Sequence, residues 1–550
     1  MSNRHVDAVV VGAGAGGGVV AKELSEGGLS VVVLERGGRP QFDDLDHDEL
    51  SCQFYGVLRH AFGPDDRRHR RVLKTPEGSW RTVLPTDPRY GVIAACVGSG
   101  TATYGALAWR YMPKDFRMRT TYGAPEGSTL EDWPVSYEDL EPCYEKAEWE
   151  IGVSGDDSRN PFAPPRRRPF PMPPLPYSKS ALLLDAAGLK LGWHPFSIPM
   201  LRNSVPYGGR PACIRCRYCS GYYCEVEAKA GTHNTVIPRA LATGICEVRT
   251  GCVAGSIEID DRGRARGVQY FDGEDRAQFQ GADVVIVSCS AIESARLLLN
   301  SRSRLFPGGA GNRYDWVGRN LQDHAYTGAY GLFEEDIYDD LGPGPHVAVC
   351  DFSHGNPGLR GGGMLANQFL THPYAFSRRR PPGEAGWGKA HKDYQRRYFK
   401  RCLGVHGPVQ EMPVFDNRVD VDPAVKDYWG LPVARIAIRR HEHDIEICRF
   451  LSSKAEQWLR KSGATRTWRS IPGTYAGGSA HQAGTCRMGD DPKTSVTNKY
   501  GQVHEIPNLF VADGSLHVTN GGFNPALTIM ALGYWVSAYI RQEWKGTRFR

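Results

Sequence analysis

Two groups of residues in this 550-residue chain have types and spacings that could do chemistry. The first is Gly12-x-Gly14-x-x-Gly17. Between a strand and a helix, the first glycine of such a run permits the tight turn. The second lets the backbone approach a pyrophosphate, and the third packs helix against strand. The helix N-terminus then offers free N–H groups and a positive dipole end to the phosphates. Glu35, at the end of the next strand, is placed to accept from ribose hydroxyls. Together these predict a bound dinucleotide and leave FAD and NAD both open. The second group is Cys213-x-x-Cys216-x-x-Cys219-x-x-x-x-Cys224. Thiolates at this density bind iron–sulfur clusters or zinc, or stand as free structural thiols.

Apolar spacing gives the elements that must position these residues. Asp7–Val11 and Ser30–Leu34 read as buried strands and Val19–Ser25 as the helix between them, a βαβ unit whose parallel strands require the crossover. Pro161–Pro176 is rich in Pro and Arg and reads as an extended surface linker. Pro238–Ala242 is a short helix with proline in its first turn, and strands alternate around Glu247–Gln280. Ala282–Ser288 is a further buried strand, and Ala291–Asn300 a helix with apolar spacing at Ile292, Ala295, Leu298 and Leu299. Strand and helix signals return at Asn508–Ala512 and Asn524–Tyr539. The expected fold class is α/β. A Rossmann-like domain is formed by 1–324, with the linker and cysteine-rich insertion at about 130–235, and is completed by 476–550. A second, α+β cap domain built on an antiparallel sheet spans 325–475.

Hydrophobic content of 41% and charged content of 23% are ordinary for a globular protein, and a net charge of +6 gives no reason to expect nucleic acid. The basic runs Arg67–Arg71, Arg166–Arg168 and Arg378–Arg380 read as solvated loop surface. No apolar run approaches the roughly 18 residues a membrane-crossing helix needs. Met1–Val6 leads straight into a strand with no room for a leader, which predicts a cytoplasmic chain. A disulfide framework is not expected from the 14 cysteines in such a chain; those outside the cluster read as small buried hydrophobes.

Several further segments resemble the glucose–methanol–choline (GMC) family of FAD oxidoreductases. They are Leu34-Glu35-Arg36-Gly37-Gly38, Val97-Gly98-Ser99-Gly100-Thr101 with Tyr104-Gly105, Trp133–Leu140, and Val317–His324. The most specific are Ala480-His481-Gln482-Ala483-Gly484-Thr485-Cys486-Arg487-Met488-Gly489, Val511–Ser515, and Gly522-Phe523-Asn524-Pro525-Ala526-Leu527-Thr528. The resemblance is weakest in the cap, where substrate specificity would lie.

The resemblance implies FAD across the Rossmann-like domain, its ADP half at Gly12–Glu35 with Arg36, and Val253 near the adenine. Asp513 and Gly514 would approach the pyrophosphate and ribityl chain. Gly98, Ser99, Thr101 and Tyr104 would lie beside the flavin ring, and Asn524 and Pro525 would also border the cofactor. No histidine occurs in Gly98–Ala106, which predicts non-covalent FAD. His481 matches the family's catalytic base and Asn524 its second polar partner, an amide able to hydrogen-bond the substrate oxygen but not to take its proton. His324 reads as a residue fixing the domain junction. The cysteine segment is similar to an insertion in the branch of gluconate and glucose dehydrogenase large subunits, where such residues can bind an iron–sulfur cluster. A cluster would imply a dehydrogenase with an electron-transfer partner protein, cytochrome or quinone; its absence favours an oxidase.

The branch oxidises sugars and sugar-like polyols, so a carbohydrate hydroxyl is the expected substrate. The acidic stretch Glu334–Asp340 raises a narrower expectation, a cationic aminosugar of aminoglycoside type, against the plainer reading of a solvated loop. Two other classes stay open: a redox-neutral lyase on the same fold, and one subunit of a larger dehydrogenase complex.

Overall fold

Short apolar runs dictate the central sheet. In the computed structural model, which describes residues 4–42, 47–50, 63–475, 479–545 and 549, Val6–Val11 (β1) and Val31–Leu34 (β2) pair in parallel. Met1–Asn3 and the 475/476 boundary adjoin or lie outside the described residues. Ala277–Val287 (β3) pairs with the other side of β1, and Leu509–Val511 (β4) with β3, both parallel. Cys246–Arg249 closes the far edge beside β2. Val9, Val10, Val284, Val285 and Ile286 have no exposed surface, as expected of parallel strands covered on both faces. Helix α1 (Ala15–Glu26) makes the first crossover and packs on α3 (Ala526–Lys545); α2 (Ala291–Asn300) follows β3.

β3 serves two sheets. Its first residues pair antiparallel with Ala265–Phe271, and its last six run parallel to β1. A second sheet is antiparallel throughout, in the order Arg466–Ser470, Tyr326–Leu332, Cys402–Pro408, Leu365–Asn367, Val347–Val349, Phe196–Met200, Ser154–Asp156. Two of its strands come from ahead of residue 325. The helix Glu442–Lys461 packs on it through a face that includes Ile447, Leu451, Ala455 and Trp458. A four-stranded sheet joins Arg418–Lys426 and Pro432–Ala437 to Arg71–Lys74 and Trp80–Val83.

Two arginines depart from the expectation of solvated basic runs. Arg71 is 1% exposed, and its guanidinium is 2.6 Å from Glu293 at the head of α2. Arg166 lies 2.9 Å from the fully buried Glu148, which Arg110 also grips at 2.7 Å. A run of like charge shows only that a segment reaches the surface somewhere; a buried carboxylate opposite one member draws that member inward. The acids of 334–340 are exposed, around the buried Ile337 and Tyr338, but three are paired: Glu334 with Arg397, Asp336 with Arg401, and Asp340 with Lys400 and Arg217.

Candidate functional site

The turn after β1 shapes the first wall of a cavity of about 640 Å³. Gly12 sits at φ +100°, and a Cβ there would fall 2.3 Å from the carbonyl oxygen of Ser288. At Gly17 it would fall 2.0 Å from the Gly12 oxygen, so helix and turn meet only without side chains. Gly12 and Gly14 line the cavity at the N-terminus of α1; Gly17 packs behind it. Glu35 is buried and accepts from the backbone N–H of Ala13 and of Gly37, each at 2.9 Å. Burial raises its pKa. Arg36 and Val253 also line this end.

Both ends of the chain meet here. Asp513 and Gly514, just past β4, share the wall with Gly12 and with Asn524 and Pro525 at the head of α3. The Asp513 carboxylate accepts from the Ser290 N–H at 3.0 Å and the Ser515 N–H at 2.9 Å, locking the end of β4 to the start of α2. Ser99, Thr101 and Tyr104 line the middle of the cavity. Ser99 is held at φ +46°, an unfavourable backbone conformation for a residue with a side chain, and such strain clusters at functional sites. Gly98 does not reach the cavity. It backs onto His233, whose ring would be 2.8 Å from a Cβ at Gly98 and which is not on the cavity wall.

The far end is polar and small. His481 and Asn524 are brought together, with Asn524 Nδ2 3.4 Å from His481 Nε2. The same amide donates to the Tyr326 hydroxyl at 2.7 Å, and Asn524 Oδ1 has no partner among the described residues. His324 is not remote: its Nδ1 is 2.9 Å from His481 Nδ1. Burial, and then the neighbouring His324, holds His481 well below the usual imidazole range, so it is neutral. Tyr326, on the second sheet, and Gln368 and Phe369, just past its strand Leu365–Asn367, also line the cavity.

Sequence reasoning missed those three, because they sit on separate strands and loops with no shared spacing. It also missed Glu293, Arg296, Leu297 and Asn300 at the other end, although their helical spacing on α2 was a usable signal.

The four clustered cysteines are free thiols, and among the described residues no group of three or more His, Cys, Asp or Glu is arranged to hold a metal ion. Burial pushes the Cys216 thiol up to about 11. The loop nevertheless borders the cavity through Ser220 and Gly221. Beneath it lie two buried cations, Lys229 and Arg202, on which no carboxylate is found among the described residues. Lys229 donates to the carbonyls of Tyr222 (2.6 Å), Cys219 (2.8 Å) and Tyr104 (3.2 Å). Arg202 donates to the Gly105 carbonyl at 3.2 Å, and its Nε has no partner among the described residues.

Family profiles described as GMC oxidoreductase match residues 174–326 and 413–533. The chain is 32% identical to a gluconate 2-dehydrogenase flavoprotein of Pantoea cypripedii, over 98% of this chain and 94% of that one. The chain belongs to the GMC oxidoreductase family. Like other GMC members it is an FAD-dependent oxidoreductase. A second GMC relative is a 6'''-hydroxyparomomycin C oxidase of Streptomyces lividus, 32% identical over 96% of this chain and 90% of that one. The GMC fold is seen also in the crystal structure of pyridoxine 4-oxidase from Mesorbium loti, with a TM-score of 0.65 over 98% of this chain and 99% of that one at 16% identity. Among the described residues no helix is long and apolar enough to cross a membrane.

Proposed function

We propose that the chain oxidises an alcohol carbon of a sugar or sugar-like substrate to the carbonyl, with His481 as the base. The observation that carries this reading is His481 Nε2 beside the Asn524 amide at the cavity's polar end, with the dinucleotide wall along the rest. The residues present fit FAD. The volume suits a large cofactor, two helix N-termini border it, and Gly14 keeps the wall near Ser99 open. Gly12, Gly14, Glu35, Arg36 and Val253 would hold the ADP half, Asp513 and Gly514 the pyrophosphate and ribityl chain, and Ser99, Thr101, Tyr104 and Pro525 the ring. When bound without a covalent link, FAD supplies the acceptor for the hydride leaving the substrate carbon.

The protein's own part is proton transfer and alignment. His481 Nε2 takes the hydroxyl proton as the C–H bond breaks. Asn524 orients the substrate oxygen without competing for the proton, since an amide is no base at working pH. Tyr326, Gln368 and Phe369 shape the space that the substrate carbon frame fills. Because burial keeps His481 neutral, kcat/KM is expected to stay level as pH falls through 6.5, the ordinary histidine value, and to drop only below it. A pH–rate profile checks this; an acid limb centred at or above that value contradicts it.

Glu334, Asp336 and Asp340 are ion-paired to Arg397, Arg401 and Lys400 and do not line the cavity, so an aminoglycoside-type substrate would not owe its recognition to these acids. Alcohols of sugar type and of aminoglycoside type both remain candidates, supported by the likeness to a gluconate 2-dehydrogenase flavoprotein and to a 6'''-hydroxyparomomycin C oxidase, and the polar end offers either of them an amide, a phenol and an imidazole.

One observation favours a second reading, a dehydrogenase that passes electrons to a partner. The cysteine loop borders the cavity beside the buried Arg202 and Lys229, which have no carboxylate partner among the described residues. No three of these thiols converge as ligands. Purified protein is expected to show flavin bands alone, with less than about one-tenth equivalent of iron. Stoichiometric iron with acid-labile sulfide would establish the second reading instead.

A further inference from the structure

The buried His324 and the half-buried His481 face each other through like atoms. The Nδ1 atoms of His324 and His481 are 2.9 Å apart, with the rings at 84° to one another. A nitrogen pair this close needs one N–H and one bare lone pair. The other end of His324 decides which is which. Its Nε2 lies 2.6 Å from the carbonyl oxygen of Asn520 and 2.6 Å from that of Gly521. Carbonyl oxygens only accept, so Nε2 carries the hydrogen. A neutral imidazole has one hydrogen to place, which leaves His324 Nδ1 as the acceptor. His481 Nδ1 must then donate, and His481 Nε2 is bare.

The carbonyls that impose this are themselves held. Gln322, two residues before His324, accepts from the Asn520 N–H at 2.9 Å and donates to the Val518 carbonyl at 3.2 Å. The Asn520 amide in turn donates to the His481 carbonyl at 2.7 Å. The segment Gln322–His324, the loop 518–521 and His481 therefore form one closed set of hydrogen bonds.

We propose that His324 is a positioning residue that fixes the Nδ1–H tautomer of His481, leaving Nε2 as the lone pair that faces the substrate. The proposal rests on the reading of His481 as the base. His324 does not relay the proton onward, because its Nε2–H ends on two carbonyls that cannot take one. Among the described residues no carboxylate contacts either ring. Asp323 accepts from the Ser479 N–H at 3.2 Å, with burial and then Glu411 pushing its carboxyl up to about 7. Glu411 is engaged by the Asp323 and Ala325 N–H groups and by Arg440. The other groups facing the pair are Tyr326, Asn524 and His517, the last lowered to about 4 by burial. The task an aspartate performs for the histidine of a Ser-His-Asp triad is thus given to an uncharged ring clamped by the backbone.

The test compares His324→Leu, which has no acceptor, with His324→Asn, whose carbonyl oxygen can stand where Nδ1 stood. The readouts are anaerobic substrate-driven flavin reduction, FAD content and thermal melting. With FAD retained, His324→Leu is expected to reduce its flavin about 10²-fold or more slowly, and His324→Asn to recover at least about tenfold of that loss. Equal rates in the two variants, or a wild-type rate in His324→Leu, overturn the proposal. His481→Gln is run alongside: a wild-type rate there would sink the base assignment instead, so the two failures are told apart. Should neither His324 variant hold FAD, two-bond ¹H–¹⁵N spectra of histidine-labelled wild type decide, with His481→Gln identifying the resonances. A His481 ring protonated at Nδ1 upholds the proposal, and one protonated at Nε2 overturns it.

Discussion

Replacing His481 with alanine is expected to slow substrate-driven flavin reduction by about 10²–10⁴-fold while leaving the protein yellow. Among the described residues that line the cavity beside it, no second group suits the task. Asn524 is an amide and the Tyr326 hydroxyl accepts from it at 2.7 Å. His324 does not line the cavity, and its Nε2 is held on two backbone carbonyls. FAD should be retained because the dinucleotide wall is built from Gly12–Arg36, Val253 and Asp513–Gly514, none of which leans on the imidazole. Stopped-flow reduction under anaerobic conditions, with FAD content measured on the same sample, checks this. A fall of less than about tenfold with full FAD would show that the proton leaves by another route.

Gly12→Ala should strike the other end of the cavity. Its methyl would sit 2.3 Å from the Ser288 oxygen and 2.9 Å from the Ser288 carbon, both backbone, so nothing flexible can give way. The φ of +100° adds strain of its own. The turn must open, which moves the start of α1 away from where phosphates would lie. The expected result is a protein holding less than about one-tenth of the wild-type FAD after gel filtration, with a lowered melting temperature. Gly38→Ala serves as the matched control. Gly38 has nothing within 4 Å of a would-be Cβ and no positive φ, so that variant should stay yellow. Loss of FAD in both would point to the motif's chemistry rather than to this contact.

The βαβ unit and the later strand and helix pairs were legible because parallel strands buried on both faces leave unbroken apolar runs such as Val31–Leu34. Helix ends were less so: α1 begins at Ala15, inside the glycine motif, and its first turn carries Gly16, Gly17 and Gly18, whose low helix propensity hides it and whose neighbours leave no room for a side chain. The make-up of the second sheet was not legible. Its strands Ser154–Asp156 and Val347–Val349 are three residues long and lie far apart in the chain, so no local pattern joins them. At the site, His481 and Asn524 were legible through their flanking motifs. The partnership of His324 with His481 was not, since spacing along the chain says nothing of two loops that meet at 2.9 Å. The charged runs misled for the same reason: Arg71, Arg166 and the acids at 334–340 all take partners from distant segments.

The most direct test is an anaerobic titration of the purified protein with a panel of neutral sugars and polyols, watching the flavin's visible band and the product. The account predicts that at least one member bleaches the band stoichiometrically and is recovered as its carbonyl derivative. Product formed while the flavin stays oxidised throughout would mean redox-neutral chemistry and contradict it. So would a flavin that dithionite bleaches but no alcohol in the panel does.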